Sequence, residues 1–103
     1  MPLSYIQVSR PIPGRLHGYG RFVVDSPYSA QNEVLASLTE NDLKKIGYLL
    51  GITQYSSNPI PADTQLTLGM GAANPMDLFP TPAFISENGY KIWITRDERE
   101  IRL

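Results

Sequence analysis

Residues 38–52 read LTENDLKKIGYLLGI, and this stretch carries both the start and the stop signals of one helix. Thr39 is a good N-cap, because its hydroxyl accepts a hydrogen bond from an N–H group of the first turn that has no helical partner. Asp42 stands where a capping box places Glu or Gln, and its charge suits the positive end of the helix dipole. Gly51 fits the left-handed position that commonly ends a helix. The pattern therefore predicts a helix from the residue after Thr39 to Leu50.

The apolar residues of this helix lie on one side. Leu43, Ile46 and Leu50 recur at helical spacing, so we expect this side to pack against a sheet. Gly47 interrupts the same side and costs about 1 kcal/mol relative to alanine within a helix. We expect a strand or an aromatic ring to approach the helix closely at that position. A weaker helical segment, residues 30–38, precedes it.

Several other segments carry the alternation typical of β-strands. Residues 4–10 alternate between polar and apolar side chains, and Pro11 is expected to end that strand because proline supplies no ladder donor. Further strands are predicted at residues 20–24 and 64–68. Together with a C-terminal hairpin these segments predict an α+β fold. We expect a single small domain, residues 1–103, in which an antiparallel sheet of four to five strands packs against one or two helices.

The C-terminal hairpin is indicated by Asn88-Gly89, the strongest short signal for a two-residue type I′ turn. A turn of two residues sets this register: Ile85 opposite Ile92, and Phe84 opposite Trp93. The first pair then faces the core, and the second lies on the other side of the sheet. Two large aromatic side chains on a nominally exposed face need a cover, which a loop or a partner chain would provide.

Composition excludes several classes of protein. The chain has 103 residues, no cysteine and a formal net charge of −1, so disulfides, thiolate chemistry and extensive neutralisation of phosphates are not expected. No apolar run is long enough to cross a membrane, and the N-terminus lacks a signal-peptide pattern. These features predict a cytoplasmic or virion-associated protein. Nine prolines and eight glycines predict long loops around a small core.

Catalytic chemistry has little support in the sequence. His17 is the only histidine, so a site that needs two histidines cannot form. The acidic residues are scattered and do not have the spacing of a magnesium or zinc site. We therefore expect no catalytic residues, no cofactor and no metal. A small enzyme with a pocket near His17 is the third and last functional hypothesis.

The leading hypothesis is a non-enzymatic structural or protein-interaction protein. It would form a homo-oligomer or serve as a small subunit of a larger assembly, such as a phage or virus accessory component. The segment 69–82 is long, rich in turn residues and without periodicity, and such a loop in a small domain is commonly functional or held by a partner. The residues expected at the interface are Phe84, Trp93, Met76, Leu78 and Phe79.

The alternative hypothesis is a nucleic-acid-associated or regulatory binding protein. Residues 17–24, HGYGRFVV, resemble the RNP1 strand of RNA-recognition domains. That resemblance implies a sheet on which aromatic side chains stack against bases. Basic and aromatic residues also cluster around this strand. The residues expected to contact nucleic acid are Arg10, Arg15, His17, Tyr19 and Arg21.

Overall fold

The computed structural model of the chain describes residues 4–12, 15–68 and 80–95, without the side chains of residues 10–12 and 15–19. The elements in chain order are β1 (Ser4–Ile12), β2 (Arg15–Val24), α1 (Gln31–Ala36), α2 (Glu40–Leu49), β3 (Gln65–Leu68), β4 (Phe84–Ile85) and β5 (Lys91–Thr95). The strands form one sheet in the order β3-β1-β2-β5-β4, and each strand is antiparallel to its neighbours. The predicted α+β class is confirmed.

One face of the sheet packs against both helices. This core consists of buried apolar side chains from three strands and from the helical layer: Ile6, Val8, Phe22, Val24, Ile92, Val34, Leu38, Ile46 and Leu50. Each of these large side chains contributes about 1.5–3 kcal/mol when it is fully removed from water. Within the described part of the chain both helices lie on this side, so the opposite face of the sheet carries no helix.

Helix α2 has the caps that its sequence predicts. The Thr39 hydroxyl accepts from the N–H of Asp42, and the Asp42 carboxylate accepts from the N–H of Thr39, which completes a capping box. At the other end Gly51 has a φ of 80°. The N–H of Ile52 donates to the carbonyl oxygen of Gly47 at 2.9 Å, as the Schellman motif requires.

The glycine within α2 faces a loop. A Cβ atom added to Gly47 would lie 2.8 Å from Cγ1 of Ile60, which belongs to the segment between α2 and β3. The expectation of a strand or an aromatic ring at this position is therefore wrong. The close approach itself is present, because a side chain at position 47 would collide with the side chain of Ile60.

The first two strands are longer than predicted. Strand β1 continues through Pro11, which pairs with Leu16 of β2. Beyond Ser9, β1 has β2 on one side only, because its pairing with β3 ends at that residue. Proline is tolerated there because its missing N–H can face the unpaired side of the strand.

The C-terminal hairpin forms, but its register differs by one residue from the expected one. Phe84 pairs with Ile92, and Ile85 pairs with Lys91. The predicted pairings of Phe84 with Trp93 and of Ile85 with Ile92 are therefore wrong. The slip of one residue moves the side chains of β4, but not those of β5, to the opposite face. Phe84 packs against the core, whereas Ile85 is 51% exposed.

The turn of this hairpin explains the difference. The N–H of Gly89 donates to the carbonyl oxygen of Ser86, and the N–H of Ser86 donates to that of Tyr90, so the loop has three residues instead of two. A type I′ turn needs a positive φ at Asn88 as well, and among the described residues only glycines have one. Two contacts with the helical layer hold the wider turn: the Glu87 N–H to the Asp42 carboxylate at 3.2 Å, and the Asn88 amide to the Ser37 carbonyl oxygen at 2.6 Å.

Candidate functional site on the helix-free face of the sheet

The face of the sheet opposite the helices is the best candidate for a functional surface. Strand register places three neighbours in one row across it, with Val23 opposite Tyr5 on one side and opposite Trp93 on the other. Arg21 lies in the adjacent row, between Gln7 and Thr95. We call this surface the outer face. It is defined by Tyr5, Gln7, Arg21, Val23, Trp93 and Thr95.

The first row of the outer face is apolar. Val23, in the middle of it, is only 1% exposed, whereas Tyr5 and Trp93 on either side are half-buried. Aromatic side chains with one covered and one accessible part are enriched at protein interfaces, because they add contact area at little cost in conformational entropy. The row therefore gives this face an apolar centre.

Arg21 is the cation beside that row. Its guanidinium carbon lies 4.8 Å from the centre of the Tyr5 ring, and Nη1 donates a hydrogen bond to the Tyr5 hydroxyl. The Thr95 hydroxyl donates to the main-chain oxygen of Arg21 at 3.2 Å, which ties β2 to β5 at this point. Within the described part of the chain, Nε of Arg21 is buried and has no hydrogen-bond acceptor. Among the described residues, no carboxylate forms an ion pair with this guanidinium.

A second cation, Lys91, lies on the same side of β5, two residues before Trp93. The main chain of this residue, and not its ammonium group, contacts Asp25. Asp25 Oδ1 accepts from the main-chain N–H of Lys91 at 2.6 Å, and the N–H of Asp25 donates back to the oxygen of Lys91. These two hydrogen bonds join the end of β2 to the start of β5.

The outer face is suited to binding. It offers two aromatic rings, one oriented guanidinium and several neutral hydrogen-bonding side chains, which are groups found in protein interfaces. Within residues 4–12, 15–68 and 80–95 there is no group of three His, Asp or Glu side chains able to hold a metal ion. In the same parts of the chain, neither helix has the length and apolarity needed to cross a membrane.

Two concavities lie elsewhere. A groove of about 410 Å³ runs between α2 and the hairpin, and Asn41, Lys45 and Ser57 contribute to its walls. The Asp42 carboxylate at its base already accepts two main-chain N–H groups, from Thr39 and Glu87, so its oxygens serve the fold.

The second concavity, of about 320 Å³, lies beside Tyr28 and Glu33. Burial raises the pKa of the nearby Tyr90, and the Tyr28 hydroxyl and the Asp25 carboxylate act in the same direction. Tyr90 therefore stays protonated at neutral pH. A tyrosine with a raised pKa is a poor general base, so this pair of hydroxyls has no evident catalytic use.

The structure brings together only part of the predicted site. Trp93 and Arg21, which belong to different hypotheses, share the outer face, while Phe84 lies on the core side with Nζ of Lys45 5.3 Å from its ring. Met76, Leu78 and Phe79 lie outside the described residues. Arg10, Arg15, His17 and Tyr19 lie on β1 and β2, and their side chains are outside the description.

Tyr5 is the site residue that sequence reasoning missed. The alternation of residues 4–10 already places Tyr5 on the side opposite Ile6 and Val8. The missing information was the identity of the strand beside it, because the pairing of Tyr5 with Val23 joins residues 18 positions apart.

Comparison with protein-family models, with curated proteins and with solved structures finds no match for this chain.

Proposed function

We propose that the chain is a non-enzymatic structural or protein-interaction protein. It associates with copies of itself or serves as a small subunit of a larger assembly, such as a phage or virus particle, in the cytoplasm or on the virion. The observation that supports this proposal is the outer face, a sheet surface without a helix that presents Tyr5 and Trp93 around a buried valine. An antiparallel sheet can pack one face against helices and use the other to contact a partner.

Trp93 is the residue expected to contribute most to such an interface. Tryptophan and tyrosine are over-represented among the interface residues whose truncation weakens binding by about 2 kcal/mol or more. The neighbouring Gln7 and Thr95 are polar and resemble the rim of an interface. This arrangement, an aromatic centre with polar neighbours, fits association with another protein.

The experiment is a measurement of mass in solution, by light scattering on a sizing column, across a range of concentrations. Trp93→Ser is compared with Tyr55→Ser, which removes an aromatic residue that is 59% exposed and lies outside the outer face. We expect a discrete oligomer whose dissociation constant rises by more than about tenfold in Trp93→Ser. We expect no change in Tyr55→Ser.

Urea unfolding of the same variants separates assembly from folding. If Trp93→Ser weakens assembly no more than it weakens the monomer fold, the tryptophan is a structural residue and the proposed interface is wrong. A single-chain mass at every concentration excludes self-association. In that case only one form of the proposal remains, in which the protein is a subunit that binds a different protein. Co-purification from the native source tests that form.

The second candidate is nucleic-acid binding, and one observation favours it. Arg21 shares the helix-free face with Tyr5 and Trp93, and aromatic rings on such a sheet can stack against bases. The net charge of −1 opposes it. Binding of a single-stranded oligonucleotide that weakens steeply with salt, and that is lost when Arg10, Arg15 and Arg21 become glutamine, would place this function first.

A further inference from the structure

Arg21 has a positive charge that the described part of the chain does not balance. The structure points to a ligand for it: we propose that Arg21 binds a carboxylate, the side chain of an aspartate or a glutamate on a partner protein. This inference rests on the proposed function, because it names the chemistry of the group that would meet the outer face.

Most N–H donors of the Arg21 guanidinium have no acceptor among the described residues. A guanidinium carries five N–H donors and no acceptor. Among the described residues, one of them is used, by the Tyr5 hydroxyl, and Nε is buried without an acceptor. Arginine with this many unsatisfied donors is unfavourable when it is partly removed from water, so an oxygen-rich ligand would stabilise it.

Tyr5 fixes the orientation of the Arg21 guanidinium. The ring of Tyr5 lies against the guanidinium at 4.8 Å from its centre, and the hydrogen bond to the Tyr5 hydroxyl restricts its rotation. A planar guanidinium held in one orientation matches the planar carboxylate, which accepts two parallel hydrogen bonds. Tyr5 thus prepares Arg21 for its ligand and lowers the entropy lost on binding.

The number of cations on this side of the sheet favours a single carboxylate over a polyanion as the ligand of Arg21. Nucleic acid is bound by several cations that each replace a counterion. Two cations are described on this side of the sheet: Lys91 is exposed to water, whereas Arg21 is half-buried against the Tyr5 ring. One guanidinium next to an apolar row fits one acidic side chain in a protein interface. The net charge of −1 points the same way.

The experiment follows the Nε–Hε resonance of Arg21 by NMR in the full chain. Burial of Nε slows the exchange of its proton with water, so this signal is a direct reporter of the site. The probes are a blocked Asp-Glu-Asp tripeptide, its Asn-Gln-Asn counterpart, inorganic phosphate and a short single-stranded oligonucleotide. We expect the acidic peptide to shift the resonance in a saturable way, and the amide peptide to leave it unchanged.

Variants test whether binding of the acidic peptide depends on the guanidinium of Arg21. Arg21→Gln is expected to weaken binding of the acidic peptide by at least about tenfold, and Arg21→Lys by less, because it keeps the charge and loses the planar fork. Lys91→Gln is the matched control, since it removes a cation from the same side of the sheet, and it should change the affinity by less than about threefold. Backbone spectra of all variants confirm that each one remains folded.

The outcomes separate the inference from the proposed function. No shift at Arg21 with the acidic peptide, an equal effect of Lys91→Gln, or a stronger response to phosphate or to the oligonucleotide would each overturn the carboxylate proposal. If another copy of the chain supplies the carboxylate, the peptide competes with self-association and Arg21→Gln lowers the mass in solution. Assembly that depends on Trp93 but not on Arg21 would retain the proposed function and reject this inference.

Discussion

One buried carboxylate of α2 contacts the C-terminal hairpin, and Asp42→Ala tests how much that contact contributes. Asp42 is 2% exposed. Its Oδ2 accepts from the N–H of Thr39 at 3.1 Å, and both of its oxygens lie 3.2–3.3 Å from the N–H of Glu87. The same side chain thus caps the helix and positions the hairpin turn that sets the strand register.

The size of the effect follows from these contacts. Loss of a helix cap costs about 1 kcal/mol, and a hydrogen bond to a charged acceptor contributes about 1.5–3 kcal/mol. In Asp42→Ala the N–H groups of Thr39 and Glu87 lose this acceptor. Because the two terms overlap, we expect the free energy of unfolding to fall by about 2–4 kcal/mol. That is a large share of the total free energy of unfolding of such domains, which is about 5–15 kcal/mol.

The assay is urea unfolding followed by far-UV circular dichroism. Asn41→Ala serves as the control, because it alters the exposed residue next to Asp42. Hydrogen exchange at the amide of Glu87 should accelerate in Asp42→Ala and stay unchanged in the control. If Asp42→Ala lies within about 0.5 kcal/mol of the control, the carboxylate does not hold the hairpin and this reasoning is wrong.

Two further predictions concern packing and pH. Gly47→Ala should lower the free energy of unfolding by about 1 kcal/mol, because its Cβ would lie 2.8 Å from Cγ1 of Ile60. In an Ile60→Ala background the same change should become stabilising, and urea unfolding that shows one sign in both backgrounds would contradict the contact. The raised pKa of Tyr90 has burial as its main cause, with Tyr28 and Asp25 adding to it, so the folded state holds this proton more tightly than the unfolded chain. Stability should therefore decline as pH rises above about 10, and less steeply in Tyr90→Phe; equal slopes in urea titrations would exclude this linkage.

The candidate site could be predicted only in part. The sequence indicates that Trp93 needs a cover and that Arg21 belongs to a basic, aromatic strand. It does not indicate that the two share a face, because that depends on the pairing of β2 with β5. The paired residues of these strands are far apart along the chain, about 70 positions for Val23 and Trp93. The contact of Arg21 with Tyr5 depends in the same way on the pairing of β1 with β2.

Helix α2 was determined by local sequence, whereas the hairpin register was decided by tertiary contacts. The caps at Thr39 and Gly51 join residues within one turn of each other, so their hydrogen bonds are specified by spacing along the chain. Asn88-Gly89 indicates a hairpin in the same local way, yet either of two registers satisfies that signal. The contact of the Glu87 N–H with Asp42, 45 residues away, favours the wider turn, and with it Phe84 enters the core while Trp93 remains on the outer face.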